Sequence, residues 1–210
     1  VRGVVIDSMG LPADQQIDVE ASGLLLPQVV AGRLDELRLS SEDVAIGGLS
    51  GAVRVDATGV PLRGGEIASA NGTVTLDREQ FAALVDKAGL PIEKVELDAP
   101  DVTVAGSIPV FGMSVPLALR VTPGADAGEL LLTPVSVSIA GADVDLGDLA
   151  GRLGPLGSGL AQTQRICIAD RLPAGITLTG LKVAGDRVIA DVAVDGRIAV
   201  DGDLLQNGTC

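Results

Sequence analysis

The sequence predicts an α+β fold in which long antiparallel strands have amphipathic helices laid against them. Much of the chain alternates apolar and polar residues with a period of two, which is typical of strands with one buried face. Helical periodicity, in contrast, is confined to three segments. No linker rich in serine, proline or charge interrupts the 210 residues, so we expect a single domain over residues 1–210.

The strands are predicted from alternation and from the turn signals between them, such as Ala184-Gly185-Asp186 and Asp195-Gly196. Residues 115–121 also alternate, but Pro116 stands where a polar residue is expected. We interpret that stretch as covered on both faces, or as an edge strand where a proline is tolerated. The other predicted strands cover residues 53–58, 73–77, 94–98, 101–104, 135–139 and 188–195.

The three helical segments differ in how clearly they are marked. Residues 77–88 are the clearest, because Asp77 and Gln80 have the spacing of a capping box and Gly89 and Pro91 end the pattern. The second predicted helix covers residues 23–34, with Pro27 in one of its first turns. The third covers residues 147–172 and is broken at Gly154-Pro155.

Charge and residue types argue against nucleic-acid binding and against catalysis. The chain carries 28 acidic and 15 basic residues, a net charge of −13, which repels phosphate backbones. It contains no histidine, so the commonest general base and metal ligand is missing. Asp143, Asp145 and Asp148 resemble part of a calcium loop, but Gly147 stands where such a loop needs an oxygen ligand. We therefore expect no enzyme activity, no cofactor and no metal.

The apolar content is high and almost entirely aliphatic. Hydrophobic residues make up 47% of the chain, aromatic residues only 1%, and tryptophan and tyrosine are absent. Such a composition leaves two interpretations open. The aliphatic side chains either fill the core of a structural or protein-interaction domain, or they line a site for an apolar ligand.

The two cysteines, Cys167 and Cys210, predict a disulfide, although two idle thiols are the alternative. A cysteine at the last position has little packing reason to exist unless something holds it. A bridge would indicate an oxidising, extracytoplasmic compartment. No run of apolar residues is long enough for a transmembrane helix. Because the chain begins with Val1, we expect that a signal or anchor segment has been removed.

Several segments, taken in order, resemble a known family. Residues 22–39 read SGLLLPQVVAGRLDELRL, and they are followed by VAIGG at 44–48 and VRVDATGVP at 53–61. GTVTLD at 72–77 then leads into the helix of Phe81, and LPAGITL at 172–178 begins a C-terminal hairpin. This order resembles the LmeA-like phospholipid-binding family of actinobacterial cell-envelope proteins.

The resemblance implies an extracytoplasmic, membrane-anchored protein that binds phospholipid acyl chains in an apolar groove. It further implies a curved antiparallel sheet wrapped against helices, similar to the tubular lipid-binding (BPI-like) fold. The expected partners are a membrane surface and an anionic phospholipid such as phosphatidylinositol, and the expected role is support of lipomannan-type lipoglycan assembly. The oligomeric state is not predicted.

The family pattern carries no lipid-site motif, so the candidate site residues come from this sequence. Residues 108–114 are expected to form a rim that dips into a bilayer. An anionic headgroup needs a local basic cluster, for which the candidates are Arg33, Arg38, Arg54 and Arg63. The candidates for the apolar lining are Leu24, Leu25, Val29, Val30, Phe81, Leu84, Val85, Phe111 and Met113.

Overall fold

A computed structural model describes residues 16–46, 49–87, 92–110, 113–144, 146 and 162–210. The described residues form two compact units. Unit 1 takes its described residues from Val1–Thr75, Cys167–Gly180 and Ala190–Cys210, and unit 2 takes its described residues from Leu76–Ile166 and Leu181–Ile189. The expectation that residues 1–210 act as a single domain stays a prediction.

Sheet 1 has six strands in the order β1-β2-β3-β4-β12-β11. The first four strands are consecutive along the chain, and β1–β2, β2–β3 and β3–β4 pair antiparallel. The last two strands come from the C-terminal hairpin. The strands are β1 (Asp18–Ala21), β2 (Arg33–Ile46), β3 (Leu49–Pro61), β4 (Ser69–Asp77), β11 (Ile176–Ala184) and β12 (Arg187–Val194).

Sheet 2 also has six strands, in the order β10-β8-β7-β6-β5, with β9 paired to β8. The pairs β5–β6, β6–β7, β7–β8 and β8–β9 are antiparallel. The strands are β5 (Lys94–Asp98), β6 (Asp101–Val110), β7 (Met113–Asp126), β8 (Glu129–Ile139), β9 (Ala142–Val144) and β10 (Gln164–Cys167).

Helix α1 (Leu25–Ala31) lies in unit 1 and helix α2 (Arg78–Lys87) in unit 2. The capping box predicted for α2 is confirmed: Gln80 N donates to Asp77 Oδ1 at 2.8 Å, and Asp77 N donates to Gln80 Oε1 at 2.9 Å. Helix α1 is shorter than the predicted 23–34. It ends because Gly32 adopts a left-handed conformation (φ 74°), after which Arg33 begins β2.

Two further predictions need correction. Residues 162–172 were expected to continue a helix, but β10 pairs with the edge of β8 there, and a short 3₁₀ helix follows at Ala169–Arg171. Residues 147–161 of that predicted helix lie outside the described residues. The stretch around Pro116 is not at an edge, because β7 lies between β6 and β8. The backbone of Pro116 faces β8, since Ala140 N donates to Pro116 O at 2.9 Å. Because β8 ends at Ile139, the N–H that proline lacks removes no hydrogen bond from the strand pairing there.

The predicted antiparallel strands are confirmed, but the molecule is richer in sheet than the expected α+β arrangement. The described part of the chain contains two sheets where one curved sheet was predicted. The tubular architecture stays a prediction. In unit 2, a valine core (Val95, Val102, Val121, Val183 and Val188) is packed against Phe81 and Ala82 of α2.

Candidate functional site

Sheet 1 has one aliphatic face, which crosses its first four strands. Val19 is opposite Leu39, Leu39 is opposite Val55, and Val55 is opposite Gly72, so these residues share a face. At Gly72 a Cβ would lie only 2.8 Å from Val192 Cγ2, which places a side chain of β12 on the same face. The aliphatic face of sheet 1 consists of Val19, Leu37, Leu39, Val53, Val55, Ala57, Ala70, Val74 and Val192.

The opposite face of sheet 1 is polar. Arg38 Nε donates to Asp56 Oδ1 at 2.6 Å, and Thr73 Oγ1 donates to Asp191 Oδ1 at 3.0 Å. The hydrogen bond to Asp56 raises the pKa of Arg38 above its ordinary value, and the charges of Asp56, Glu20 and Glu36 add to this effect. Apart from Leu34 and Val60, which also lie on this second face, sheet 1 therefore separates an aliphatic face from a charged one.

Sheet 2 is divided in the same way. On one side of the sheet, Val102 is opposite Val121, and Val104 is opposite Leu119. At the α2 end of the sheet, this side forms the valine core. Exposure increases along β7 away from that core: Leu117 is half-buried, and Met113 is 67% exposed. On the other side, Arg120 forms ion pairs with Asp98 at 2.7 Å and with Asp101 at 3.7 Å.

The aliphatic faces are incompletely covered. Among the described residues no large side chain is fully buried, and Leu39, Val53, Val55 and Val74 are only half-buried. Protein interiors are normally packed to crystal-like density, with large aliphatic side chains enclosed. Both sheets thus present aliphatic surface that an apolar ligand can contact.

Helix α1 has the reverse of the usual amphipathic arrangement. Its buried residue is polar: Gln28 is 7% exposed. The Gln28 side chain donates from Nε2 to Ser22 O at 2.9 Å and accepts at Oε1 from Asp35 N at 3.0 Å. These two bonds attach the helix to a residue before it, Ser22, and to a residue after it, Asp35. The aliphatic side chains of the helix face solvent.

The exposed aliphatic side chains of this region form what we call the aliphatic ridge. Leu24, Leu26 and Val30 are 80%, 82% and 85% exposed. Leu62, also exposed, is connected to the end of the helix because its N–H donates to Gly32 O at 2.9 Å. The ridge consists of Leu24, Leu25, Leu26, Val29, Val30 and Leu62.

The four candidate headgroup arginines all lie in unit 1, but not in one cluster. Arg38 and Arg54 are on the polar face of sheet 1, where Arg38 is paired with Asp56 and Glu20. Arg33 and Arg63 adjoin the aliphatic ridge: Arg33 follows Gly32, and Arg63 follows Leu62. Neither has an ion pair with any residue in the described part of the chain. Gly59 leaves room for Arg33, since a Cβ there would be 2.5 Å from Arg33 Nη2.

The other predicted lining residues are not brought into one described site. Phe81 is packed against the valine core of unit 2. Leu84 and Val85 lie on α2, but their side chains are outside what the structure describes, and so is Phe111. Met113 is exposed at the start of β7, and the expectation that 108–114 form a rim stays a prediction. Leu24, Leu25, Val29 and Val30 are together on the aliphatic ridge.

Sequence reasoning missed two features of these surfaces. Leu26 and Leu62 were not singled out, although Leu26 stands within the same aliphatic run as Leu24 and Leu25. Of the half-buried strand residues, Val55 was interpreted as a strand position only, and Leu39 was not assigned to a strand. The alternation of residues 53–58 was the available signal for Val55, whereas Leu39 lies in β2, a strand of 14 residues that was not predicted from the sequence.

The described residues contain neither of two further kinds of site, a metal site or a membrane-spanning helix. They contain no group of three or more cysteine, aspartate or glutamate residues able to hold a metal ion. Within the same residues, no helix is long and apolar enough to cross a membrane. The disulfide between Cys167 and Cys210 is confirmed.

Comparison with known proteins identifies the family. The family model for LmeA-like phospholipid-binding proteins matches residues 6–193. No curated protein and no solved structure gives a significant match. The matched segment contains both aliphatic sheet faces and the aliphatic ridge, and it covers most of the chain. The chain therefore belongs to the LmeA-like phospholipid-binding family.

Proposed function

We propose that this protein binds phospholipid by placing the acyl chains along the aliphatic sheet faces, without catalysing a reaction. The observation that carries the proposal is the incomplete burial of those faces, where Leu39, Val53, Val55 and Leu117 are half-buried. Burial of apolar surface contributes about 25 cal/mol per Å², so aliphatic walls suffice to hold acyl chains. Membership of a phospholipid-binding family supports the same conclusion.

We further propose that the protein works on the extracytoplasmic side of the membrane in the cell envelope. The Cys167–Cys210 disulfide supports an oxidising compartment. The proposed lipid is anionic, such as phosphatidylinositol, and the proposed role is to supply or present lipid for lipoglycan assembly. The absence of histidine supports a binding role rather than acid–base catalysis.

Native mass spectrometry of freshly purified protein, followed by extraction and identification of bound lipid, tests the proposal. We expect a co-purifying phospholipid, and phosphatidylinositol as its class. Val55→Gln and Leu117→Gln place a polar amide on the aliphatic faces of sheets 1 and 2, and at least one of them should reduce the bound fraction severalfold. Which variant has the larger effect identifies the sheet that holds the acyl chains.

The matched controls are Thr58→Gln on the polar face of β3 and Thr103→Gln on the polar face of β6. Both controls should retain lipid at the level of the unsubstituted protein. A protein that is free of lipid under gentle conditions, and that takes up no added phosphatidylinositol, would contradict the proposal. The half-buried aliphatic residues would then belong to a structural or protein-interaction domain.

A further inference from the structure

We propose that Asn207 is a site of deamidation, and that the Cys167–Cys210 disulfide protects it from the reaction. The chain has two asparagines, Asn71 and Asn207, and each is followed by Gly-Thr. An asparagine before a glycine is prone to deamidation, because glycine has no Cβ to shield its backbone nitrogen. The two identical tripeptides have different surroundings within unit 1, and this difference identifies Asn207 as the reactive one.

The reaction needs no enzyme and no cofactor. The amide nitrogen of Gly208 attacks Asn207 Cγ, the Cγ–Nδ2 bond breaks, and ammonia leaves with the proton that the amide nitrogen gives up. The product is a cyclic succinimide that joins the two residues. Water then opens either of its carbonyl groups, which gives aspartate or isoaspartate. In isoaspartate the main chain passes through Cβ and is longer by a carbon atom.

In the folded protein, backbone pairing blocks this attack at Asn207. Asn207 lies opposite Pro173 in an antiparallel bridge, and Gly208 N donates to Leu172 O at 2.9 Å. The attack requires rotation about the Cα–C bond of Asn207, which turns Gly208 N toward the side chain and breaks its bond to Leu172. A Cβ at Gly208 would lie 3.0 Å from Ala169 O, so Gly208 is also packed closely against that neighbouring backbone.

The pairing that protects Asn207 is an isolated bridge and lies outside both sheets. Besides the bond from Gly208 N, it includes a bond from Ala174 N to Gln206 O at 2.7 Å. The disulfide closes its outer end at Cys210, three residues after Asn207. A short surface segment opens more readily than a strand within a sheet, because few hydrogen bonds must break together. The disulfide therefore limits how often Gly208 N is free to react.

Asn71 has the same tripeptide in a setting that does not depend on the disulfide. It lies within β4, which is paired on one side with β3 and on the other with β12. Asn71 is opposite Asp56, and Gly72 is opposite Val55. Attack by Gly72 N therefore requires the interior of sheet 1 to open. Deamidation of Asn71 reports unfolding of sheet 1, whereas deamidation of Asn207 reports opening of the bridged segment alone.

Reduction of the disulfide is the step that makes Asn207 reactive. A dithiol such as dithiothreitol reduces Cys167 and Cys210 to thiols and is itself oxidised to a disulfide. Once isoaspartate has formed, its longer main chain no longer matches the spacing of Leu172 and Ala174 on the facing segment. Reoxidation then does not restore the original pairing. Deamidation thus makes a reversible reduction permanent.

Peptide mass spectrometry of the whole chain after incubation at slightly alkaline pH tests the proposal. One sample is kept oxidised, a second is reduced with dithiothreitol, and a third is reduced in concentrated urea. Deamidation increases the mass of the peptide by the difference between water and ammonia. We expect little deamidation in the oxidised sample, severalfold more at Asn207 than at Asn71 in the reduced sample, and similar deamidation at both in urea.

Two variants and a refolding measurement serve as controls. Cys167→Ser with Cys210→Ser should deamidate at Asn207 without reductant, as fast as the reduced protein does. Asn207→Gln keeps an amide at the same exposed position, and it should remove the signal because its longer side chain must close a larger ring. Protein reoxidised before deamidation should regain its original midpoint in urea, and protein reoxidised afterwards should not. Circular dichroism shows that the reduced sample keeps its strands.

Three results would overturn the proposal. Equal deamidation of Asn207 in oxidised and reduced protein would show that the disulfide does not protect it. Equal deamidation of Asn71 and Asn207 in the reduced sample would show that reduction unfolds sheet 1 instead of opening the segment. No deamidation of Asn207 in the reduced sample would show that backbone pairing alone is sufficient. None of these measurements involves lipid, so this proposal and the proposed function fail separately.

Discussion

At the scale of single residues, most of the described ion pairs join exposed side chains, where charge contributes little to stability. The pair with the clearest signature is Asp195 with Arg197, whose Nη2 lies 2.6 Å from Asp195 Oδ2. Asp195 also accepts from Arg197 N at 2.9 Å and so caps the 3₁₀ helix Gly196–Ala199. The side-chain bond from Arg197, followed by the backbone bond, lowers the pKa of Asp195 from 3.8 to about 2.

This lowered pKa predicts how stability changes with acid. A carboxyl with a depressed folded-state pKa stabilises the folded state above its unfolded pKa, and this contribution disappears as the pH falls through the folded value. Asp195 should therefore lose its contribution between pH 3.8 and about 2. Asp195→Asn keeps a hydrogen-bond acceptor but removes the charge. The difference in free energy of unfolding between the unsubstituted protein and this variant should therefore fall over that window and stay constant above about pH 5. Urea titrations at several pH values measure it.

A difference between the two proteins that stays constant from neutral pH down to pH 2 would contradict this account of Asp195. The effect should be small, because the pair is open to solvent and salt.

At the scale of elements, α1 depends on one buried amide rather than on an apolar face. Gln28→Ala would leave Ser22 O and Asp35 N without their partner. A hydrogen bond contributes about 0.5–1.5 kcal/mol net, so loss of both bonds should lower the free energy of unfolding by about 1–3 kcal/mol. Val29→Ala on the exposed side of the same helix is the control, and it should change stability by less than about 0.5 kcal/mol. Chemical denaturation of the two variants measures the difference.

Equal stabilities for Gln28→Ala and Val29→Ala would show that the Gln28 bonds do not hold the helix. The aliphatic ridge would then be free to turn inward.

Elements with local signals could be predicted from the sequence, and those that depend on distant partners could not. The helix α2 was predicted correctly because Asp77 and Gln80 are three residues apart and cap each other. In contrast, β10 forms by pairing with the edge of β8. Arg165 of β10 then forms ion pairs with Asp126 at 2.6 Å and with Glu129 at 3.1 Å. Neither contact can be read from the apolar spacing that leads to Ile166.

The candidate surfaces were predictable only in part, for a similar reason. Aliphatic composition and the run around Leu24 indicated an apolar binding surface, and these residues do lie together on the ridge. Their direction depends on Gln28, whose two partners cannot be inferred from helical periodicity. The separation of Arg33 and Arg63 from Arg38 and Arg54 depends in turn on strand register.

At the scale of the whole molecule, the disulfide closes the C-terminal end of unit 1. Cys167 and Cys210 are 43 residues apart in sequence, and the chain between them includes β11 and β12. Backbone bonds run alongside it: Ala174 N donates to Gln206 O at 2.7 Å, and Gly208 N donates to Leu172 O at 2.9 Å. The bridge thus fixes a pairing that the backbone already makes.

Removal of the disulfide should destabilise the folded protein by restoring freedom to the unfolded chain. The chain-entropy model gives about 4 kcal/mol for a loop of this size. Urea unfolding with and without a reductant should show a lower midpoint in the reduced protein. In the double variant Cys167→Ser with Cys210→Ser, the reductant should have no effect. An unchanged midpoint for the reduced protein would contradict the expected stabilisation.

The order of strands in sheet 1 has a consequence for how the protein matures. Strand β4 has β12 as its neighbour, and the bond from Thr73 to Asp191 joins residues 118 positions apart. Sheet 1 can therefore be completed only after β12 has been synthesised. Folds dominated by such distant pairings form slowly. Strands β1 to β4 can pair as they are synthesised, but the outer edge of β4 lacks its neighbour until β12 arrives, and an unpaired edge promotes aggregation.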